Sequence, residues 1–425
     1  MARDKTIVKK SLVYLLSNIL VSLIPLLFLP ILTRFLAPEE YNIVAMFQSV
    51  MLVTGAVLGF SINGYCNIKY FEIKENLEKF KYYITNGIAL LLLMTIFLLF
   101  LSFIFSFTEY DFYGLQGSEF ILITVAFFSQ YVIYLRLGLY QVRGLSVKYG
   151  LLTFFHVSLN MAITLLLVTV FHLGYFGRLL GIVMAMFIVA LLCLFTFYRE
   201  RMLVYSFRHS IITDMIKYGI SYCPIILLAT AVPLLERIVV TEQLGASDSG
   251  IFVVSTQISN GVLLIFSSIA TAYTPIVYKR LADDYSTSIY KKNILREAIA
   301  VVFVMLLAIV VVKSGFPAYI LNLILPESYH SAIELSLLLA LAVTLKLGFI
   351  IWSIYLTYYK LNSRLSIFNF IFAFVYVTGL CYFVEDYGLN FIGYYSASMK
   401  LLSSIVLGLI VWIMFDKIAT VSKVN

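Results

Sequence analysis

Four basic side chains stand inside long apolar stretches of this sequence: Arg136, Arg237, Lys346 and Lys400. A charge at the centre of a membrane helix costs about 2.5–3.5 kcal/mol on insertion scales, so four of them facing lipid would cost on the order of 10 kcal/mol. They are therefore expected to line a wet interior and to bind an anion. One acid, Glu236, sits well inside a helix alongside them. Adjacent helical residues point about 100° apart, so it does not simply cancel Arg237 and an excess of positive charge is left for a ligand. The competing reading for each cation is an interhelical ion pair or a side chain snorkelling to the surface.

Arg136 has polar company on its own stretch. Gln130, Tyr134 and Gln141 share a face at helical spacing, close to Arg136 and Tyr140. Hydroxyl, amide and aromatic groups are what sugars are usually bound by. Asn18, Gln48, Asn63, Gln257 and Asn260 either line the same cavity or hydrogen-bond from helix to helix. Glu334 reads as a solvated acid near a helix end, and His156 as a satisfied packing histidine.

The elements that must position these groups are twelve apolar stretches: 11–36, 43–66, 83–107, 120–142, 151–171, 174–198, 216–240, 251–276, 298–312, 332–356, 365–384 and 391–415. Most reach the twenty or so residues that a helix needs to cross a bilayer. Of the 30 Lys and Arg, 23 fall in the two tails and in the loops after even-numbered helices. Arg34, Arg178 and Lys313 fall on the opposite side. Basic loops stay cytoplasmic during insertion, so both termini are expected in the cytoplasm. The net charge of +8 is then a product of this bias and gives no reason to expect nucleic acid. With 62% hydrophobic and 12% charged residues, no soluble domain of useful size is left over. The basic N-terminus leads into an apolar run too long for a signal peptide, which reads as a retained first helix.

The chain also repeats itself. At an offset of 208 residues, Tyr14, Pro25, Thr33 and Ile43 meet Tyr222, Pro233, Thr241 and Ile251. Six helices per half is an even number, so two halves, 1–208 and 209–425, would share one orientation. Pro25 and Pro233, at matching depths, are candidate hinges, with static kinks as the alternative. The four cysteines have no paired spacing, so neither a disulfide framework nor a metal site is indicated. No phosphate-binding loop, zinc-protease motif or nucleophile elbow occurs, so no cofactor is expected. Gly55 and Gly59, and Gly177 and Gly181, read as points of close helix packing inside the bundle.

The run Leu29-Pro30-Ile31-Leu32-Thr33-Arg34-Phe35-Leu36-Ala37-Pro38-Glu39-Glu40-Tyr41, followed by Phe47-Gln48-Ser49 and Leu58-Gly59-Phe60, resembles the opening of bacterial polysaccharide repeat-unit flippases, the Wzx-type O-antigen exporters. The whole layout is similar too. This family shares a superfamily with multidrug and toxin extruders and lipid II flippases. Its pattern usually has glycine where this chain has Ala37 and Asn42, although the second half keeps Gly245 and Gly250. The resemblance implies an all-α, twelve-helix fold of the MATE-like MOP type in the bacterial inner membrane. It implies a monomer that moves an undecaprenyl-pyrophosphate-linked O-antigen or capsule repeat unit by alternating access, among membrane lipid and other polysaccharide-assembly proteins. Ion exchange would drive it, with Glu236 as the coupling acid. A multidrug extruder shares the fold, but cationic drugs call for acids in the cavity. A membrane glycosyltransferase, polymerase or ligase would call for a long extracytoplasmic catalytic loop.

Overall fold

The structure, a computed structural model, describes residues 23–73, 76–282 and 287–421, and Asn18 lies outside them. No strand occurs among the described residues, where the only bridge pairs Phe112 with Leu115 across a tight turn. Among the described residues fifteen α-helices follow one another: α1 Leu23–Phe35, α2 Pro38–Leu58, α3 Ile62–Glu72, α4 Leu77–Ser106, α5 Gly117–Val142, α6 Ser146–Leu165, α7 Gly174–Arg199, α8 His209–Leu244, α9 Ala246–Ala282, α10 Thr287–Lys313, α11 Phe316–Ile324, α12 Ser331–Leu345, α13 Leu347–Tyr358, α14 Asn362–Tyr387 and α15 Leu389–Val421. By length and composition, 11 helical spans among the described residues can cross a membrane, α12 and α13 together making one, and α1 is a shorter apolar helix.

Two expected helices are broken. The stretch 43–66 is divided at Gly59, because Phe60 and Ser61 take left-handed backbone with φ of 45° and 46°. Gly219 of α8 packs against the Phe60 backbone there, where a side chain would not fit. The stretch 332–356 is divided at Lys346 into α12 and α13. One other boundary also moves: the ninth stretch begins at Thr287 rather than at 298. Arg178, within the expected stretch 174–198, lies inside α7 and is 8% exposed.

Both glycine pairs serve close packing. The Tyr131 ring of α5 lies over Gly55 and Gly59, and its hydroxyl donates to the Gly55 carbonyl. Gly181 lets α7 approach the Thr164 backbone of α6. Glu40 at the start of α2 accepts from the Ala37 N–H at 3.0 Å and from the Tyr175 N–H of α7 at 3.1 Å. One carboxylate thus serves the otherwise unpaired donors of two helix N-termini.

The chain forms two compact units, Met1–Arg237 and Ile238–Asn425, that divide within α8 rather than at residue 208. The first part of α8 belongs to unit 1 because Tyr218 packs on Tyr65 of α3 at 5.6 Å and Gly219 seats Phe60. The segment before α8 is held by α4, where Asn86 accepts from the Arg208 N–H at 2.8 Å and donates to the Ser206 carbonyl at 3.1 Å. Ile84, Phe80, Phe127, Phe197 and Met215 form the centre of unit 1. In unit 2, Leu335, Leu380 and Ile392 form one cluster and Val277, Trp352 and Leu407 another. Rings such as Phe97, Phe100 and Phe103 of α4 stay exposed, as lipid-facing residues of a spanning helix must.

Candidate functional site

Arg136 is 1% exposed and faces α7. Its Nη1 donates to Glu200 Oε2 at 2.9 Å, and its Nη2 donates to Oε1. The guanidinium lies 4.5 Å from the Tyr140 ring centroid and 4.9 Å from that of Phe197. This bidentate grip is the interhelical pair that stood as the alternative to a substrate-facing cation. Glu200 caps the C-terminal end of α7, with Arg143 at 3.8 Å as a second cation. The hydrogen bond from Arg136 holds the Glu200 carboxyl below its usual range, and Arg143 and Lys148 add to the effect. Tyr134 and Gln141 are exposed and Gln130 half-buried, on a side of α5 about 120° or more from Arg136. The expected polar face therefore exists, and Arg136 belongs to the opposite, packed side.

Arg237 also turns inward. Its Nη1 donates to the Ala45 carbonyl of α2 at 2.8 Å and to the Ser49 hydroxyl, so it ties α8 to α2 within unit 1. Glu236 is half-buried and attracts Arg237 electrostatically. Pro233 is an exposed position inside α8, and Pro25 is half-buried in α1. Gln48, Asn63 and Gln257 are half-buried and Asn260 is exposed. His156 is half-buried, but its Nε2 has no hydrogen-bond partner, so it is not the satisfied histidine expected. Glu334 is exposed and accepts from Asn390 Nδ2 at 3.0 Å.

In unit 2, Lys346 lies at a helix break that α15 staples. The break at Lys346 leaves backbone groups without helical partners. Ser404 of α15 answers them: its hydroxyl accepts from the Phe349 N–H at 3.1 Å and lies 2.6 Å from the Leu345 carbonyl and 2.9 Å from the Lys400 carbonyl. Half-buried Lys346 thus stands at a helix interruption that opens the N-terminus of α13, and half-buried Lys400 lies one turn before Ser404 on α15. Lys346 Nζ stands 5.7 Å from the Phe349 ring centroid. Broken membrane helices with cations at a half-helix N-terminus suit anionic groups.

Residues 7–279 match a family described as polysaccharide biosynthesis protein. The chain belongs to this family. No curated protein matches it. Among solved structures, it is similar to an inward-facing multidrug resistance MATE family transporter of the MOP superfamily, at 14% identity over 93% of this chain and 95% of that one, with a TM-score of 0.73. It is also similar to a MOP superfamily transporter from Pyrococcus furiosus described as having a binding pocket of reversed polarity, at 15% identity over 97% and 96%, with a TM-score of 0.62. The fold is the all-α, MATE-like MOP fold, and the family is one of membrane transporters.

Two further charged groups of this family member, Arg178 and Glu297, are buried against partners that the sequence did not show. Arg178 Nη1 donates to Asn160 Oδ1 at 2.9 Å and lies 2.8 Å from Thr164 Oγ1, both on α6. Glu297, 6% exposed on α10, accepts from the Tyr355 hydroxyl at 2.7 Å and from the Tyr273 hydroxyl. The signal available for Glu297 was the amphipathic pattern of the charged segment leading into the ninth stretch.

Proposed function

We propose that this member of the polysaccharide biosynthesis family is a flippase. Its cargo would be an undecaprenyl-pyrophosphate-linked oligosaccharide, an O-antigen or capsule repeat unit, moved from the cytoplasmic to the periplasmic leaflet of the inner membrane. The observation that carries this reading is Lys346 at a stapled helix break in unit 2, with Lys400 one turn before the stapling Ser404 on α15. A pyrophosphate needs cations inside the membrane, and Lys346 beside the N-terminus of α13, with Lys400 on α15, would supply them. In unit 1, Gln130, Tyr134 and Gln141 offer amide and phenol groups to sugars, while Arg136 and Arg237 hold helices together. The protein works as an ion-coupled monomer with both termini in the cytoplasm. Glu236 remains the coupling acid proposed for unit 1, and Pro25 and Pro233 its hinges.

The test is flipping of a fluorescent undecaprenyl-pyrophosphate oligosaccharide in proteoliposomes. The Lys346→Gln, Lys400→Gln double variant is expected to lose at least tenfold in rate, roughly the loss of one charged hydrogen bond. Arginine at both positions should restore part of it. An unchanged rate in a correctly inserted double glutamine variant would overturn the assignment. A second reading, multidrug export, is favoured by the likeness to MATE transporters. It predicts efflux of cationic drugs and no flipping by the same preparation.

A further inference from the structure

In unit 1, α7 packs against both α5 and α6, and cations gather at the ends of these helices on the side rich in basic residues. Arg143 ends α5, Lys148 stands in the first turn of α6, Arg199 ends α7 and Arg201 follows it. All four are exposed. One carboxylate faces them. Glu200 is 3.8 Å from Arg143 and within electrostatic reach of Lys148, but both of its oxygens are already taken by the buried Arg136. The only acid within the three helices is Glu119, at the opposite end of α5. The ion pairs among the described residues leave Lys148, Arg199 and Arg201 out, whereas Lys69 and Lys81, on the same side of unit 1, each have an acid of their own in Glu72 and Glu78. The excess of positive charge is therefore local to α5, α6 and α7. Arg201 carries a second observation. It takes left-handed backbone, with φ of 54°, in the turn where the Met202 N–H donates to the Phe197 carbonyl at 2.9 Å. In the matching turn after α5, where the Leu145 N–H donates to the Tyr140 carbonyl at 2.8 Å, the left-handed residue is Gly144. Glycine enters this conformation freely and arginine does not, so ending the helix does not by itself call for Arg201.

We propose that the basic-side ends of α5, α6 and α7 form a headgroup site for an anionic phospholipid of the surrounding membrane. The phosphate lies among Arg143, Lys148, Arg199 and Arg201, where five cations, Arg136 included, share one carboxylate. The acyl chains run along the apolar faces that begin beside these cations: Val147 and Leu151 of α6, and Phe195 and Tyr198 of α7, are all more than half exposed. Val147 adjoins Lys148 and Tyr198 adjoins Arg199, so charge and apolar surface follow one another at the spacing of a single amphiphile. The first turn of α6 holds no acid and no side-chain cap, and the positive end of its dipole adds to the field. A zwitterionic headgroup would bring its own ammonium into this cluster of cations, which selects against it. The guanidinium forks of three arginines suit phosphate oxygens in particular.

The site goes beyond the flippase reading and does not rest on it, because a transporter of any cargo would meet this lipid. The test is native mass spectrometry of the full chain in detergent, titrated with phosphatidylglycerol and with phosphatidylethanolamine of the same acyl chains. In the first binding step wild type should prefer phosphatidylglycerol by at least about tenfold. Lys148→Gln and Arg201→Gly should each lower that affinity about fivefold, the effect of one basic residue near an anionic surface, and leave phosphatidylethanolamine binding unchanged. Arg201→Gly should also raise the melting temperature, since glycine suits the left-handed backbone, so its weaker lipid binding cannot come from a damaged fold. The double variant Lys69→Gln, Lys81→Gln removes as much positive charge from the same side and should bind phosphatidylglycerol as wild type does. Equal affinity for the two lipids, or an equal loss in this control, would overturn the proposal. Undecaprenyl pyrophosphate at matched concentration should not displace phosphatidylglycerol from wild type. Displacement that the Lys148→Gln, Arg201→Gly variant abolishes would assign the site to a cargo and overturn the proposal as well. Selective phosphatidylglycerol binding by a protein that flips no oligosaccharide would leave it standing and remove the flippase reading.

Discussion

A guanidinium inside a membrane has to be answered by acceptors, and each arginine here is answered differently: Arg136 by a carboxylate, Arg178 by an amide and a hydroxyl, Arg237 by a backbone carbonyl and a hydroxyl. Removing the answer is therefore worse than removing both partners. Glu200→Ala should lower stability in detergent by about 1–3 kcal/mol, less than the 3–5 kcal/mol of a fully buried pair because Glu200 is one-third exposed. The double variant Arg136→Leu, Glu200→Ala should recover most of that, as read by thermal unfolding. The same pair gives a pH dependence. Glu200 is held below the usual carboxylate range, so its contribution is complete above that range and is lost as pH falls through the lowered value. The Arg136→Leu variant should lose this acid-sensitive component, and equal acid profiles for variant and wild type would count against the assignment. Arg136 was visible in the sequence as a charge among apolar residues. Its partner was not, because Glu200 comes 64 residues later in what reads as a loop, and only the packing of α5 against α7 brings the two together.

Helices were legible wherever apolar residues run unbroken, and breaks were not, because a break depends on what occupies the gap. Lys346 has ordinary helical neighbours in sequence, yet the Ser404 hydroxyl, 58 residues on, stabilises an interruption there by taking the freed backbone groups. Ser404→Ala should leave those groups unpaired and cost about 1–3 kcal/mol, while Ser404→Thr keeps the hydroxyl. Gly59 shows the opposite case, a visible signal with a hidden partner. The sequence marks close packing, and the structure supplies Tyr131 as the group that comes close. Gly59→Ala should cost about 1–3 kcal/mol by overpacking, and Tyr131→Ser, which vacates the space, should offset part of it. Additive losses in the double variant would show that the two residues do not share the site. For the proline pair, the expectation is that Pro25→Ala with Pro233→Ala slows flipping without lowering expression. An unchanged rate would leave them as packing features.

At the scale of the whole molecule, composition and the length of the apolar stretches were enough to read an all-α membrane protein, and the transporter role came from the family resemblance. The division into units was less legible. A repeat offset locates equivalent residues, but a compact unit is defined by packing, and the aromatic contacts of Tyr218 carry the start of α8 into unit 1. Orientation rests on the distribution of basic residues alone, and it can be tested directly. Cys66 and Cys193 are buried, Cys223 is half-buried and Cys381 is exposed, so a cysteine-free background is needed before single sites are introduced. Glu109, beside the tight turn at Tyr113, and Asp386, near the end of α14, are exposed on the side poor in basic residues. Tyr205, fully exposed in the segment that α4 holds, is on the side rich in them. In intact cells an impermeant thiol reagent should modify cysteines at 109 and 386 and spare the one at 205. Opening the membrane should make 205 reactive, which separates shielding by the bilayer from burial in the protein. Because basic loops are retained in the cytoplasm during insertion, the reverse pattern would mean that a few of them had crossed against the bias, and it would invert the direction in which any cargo is moved.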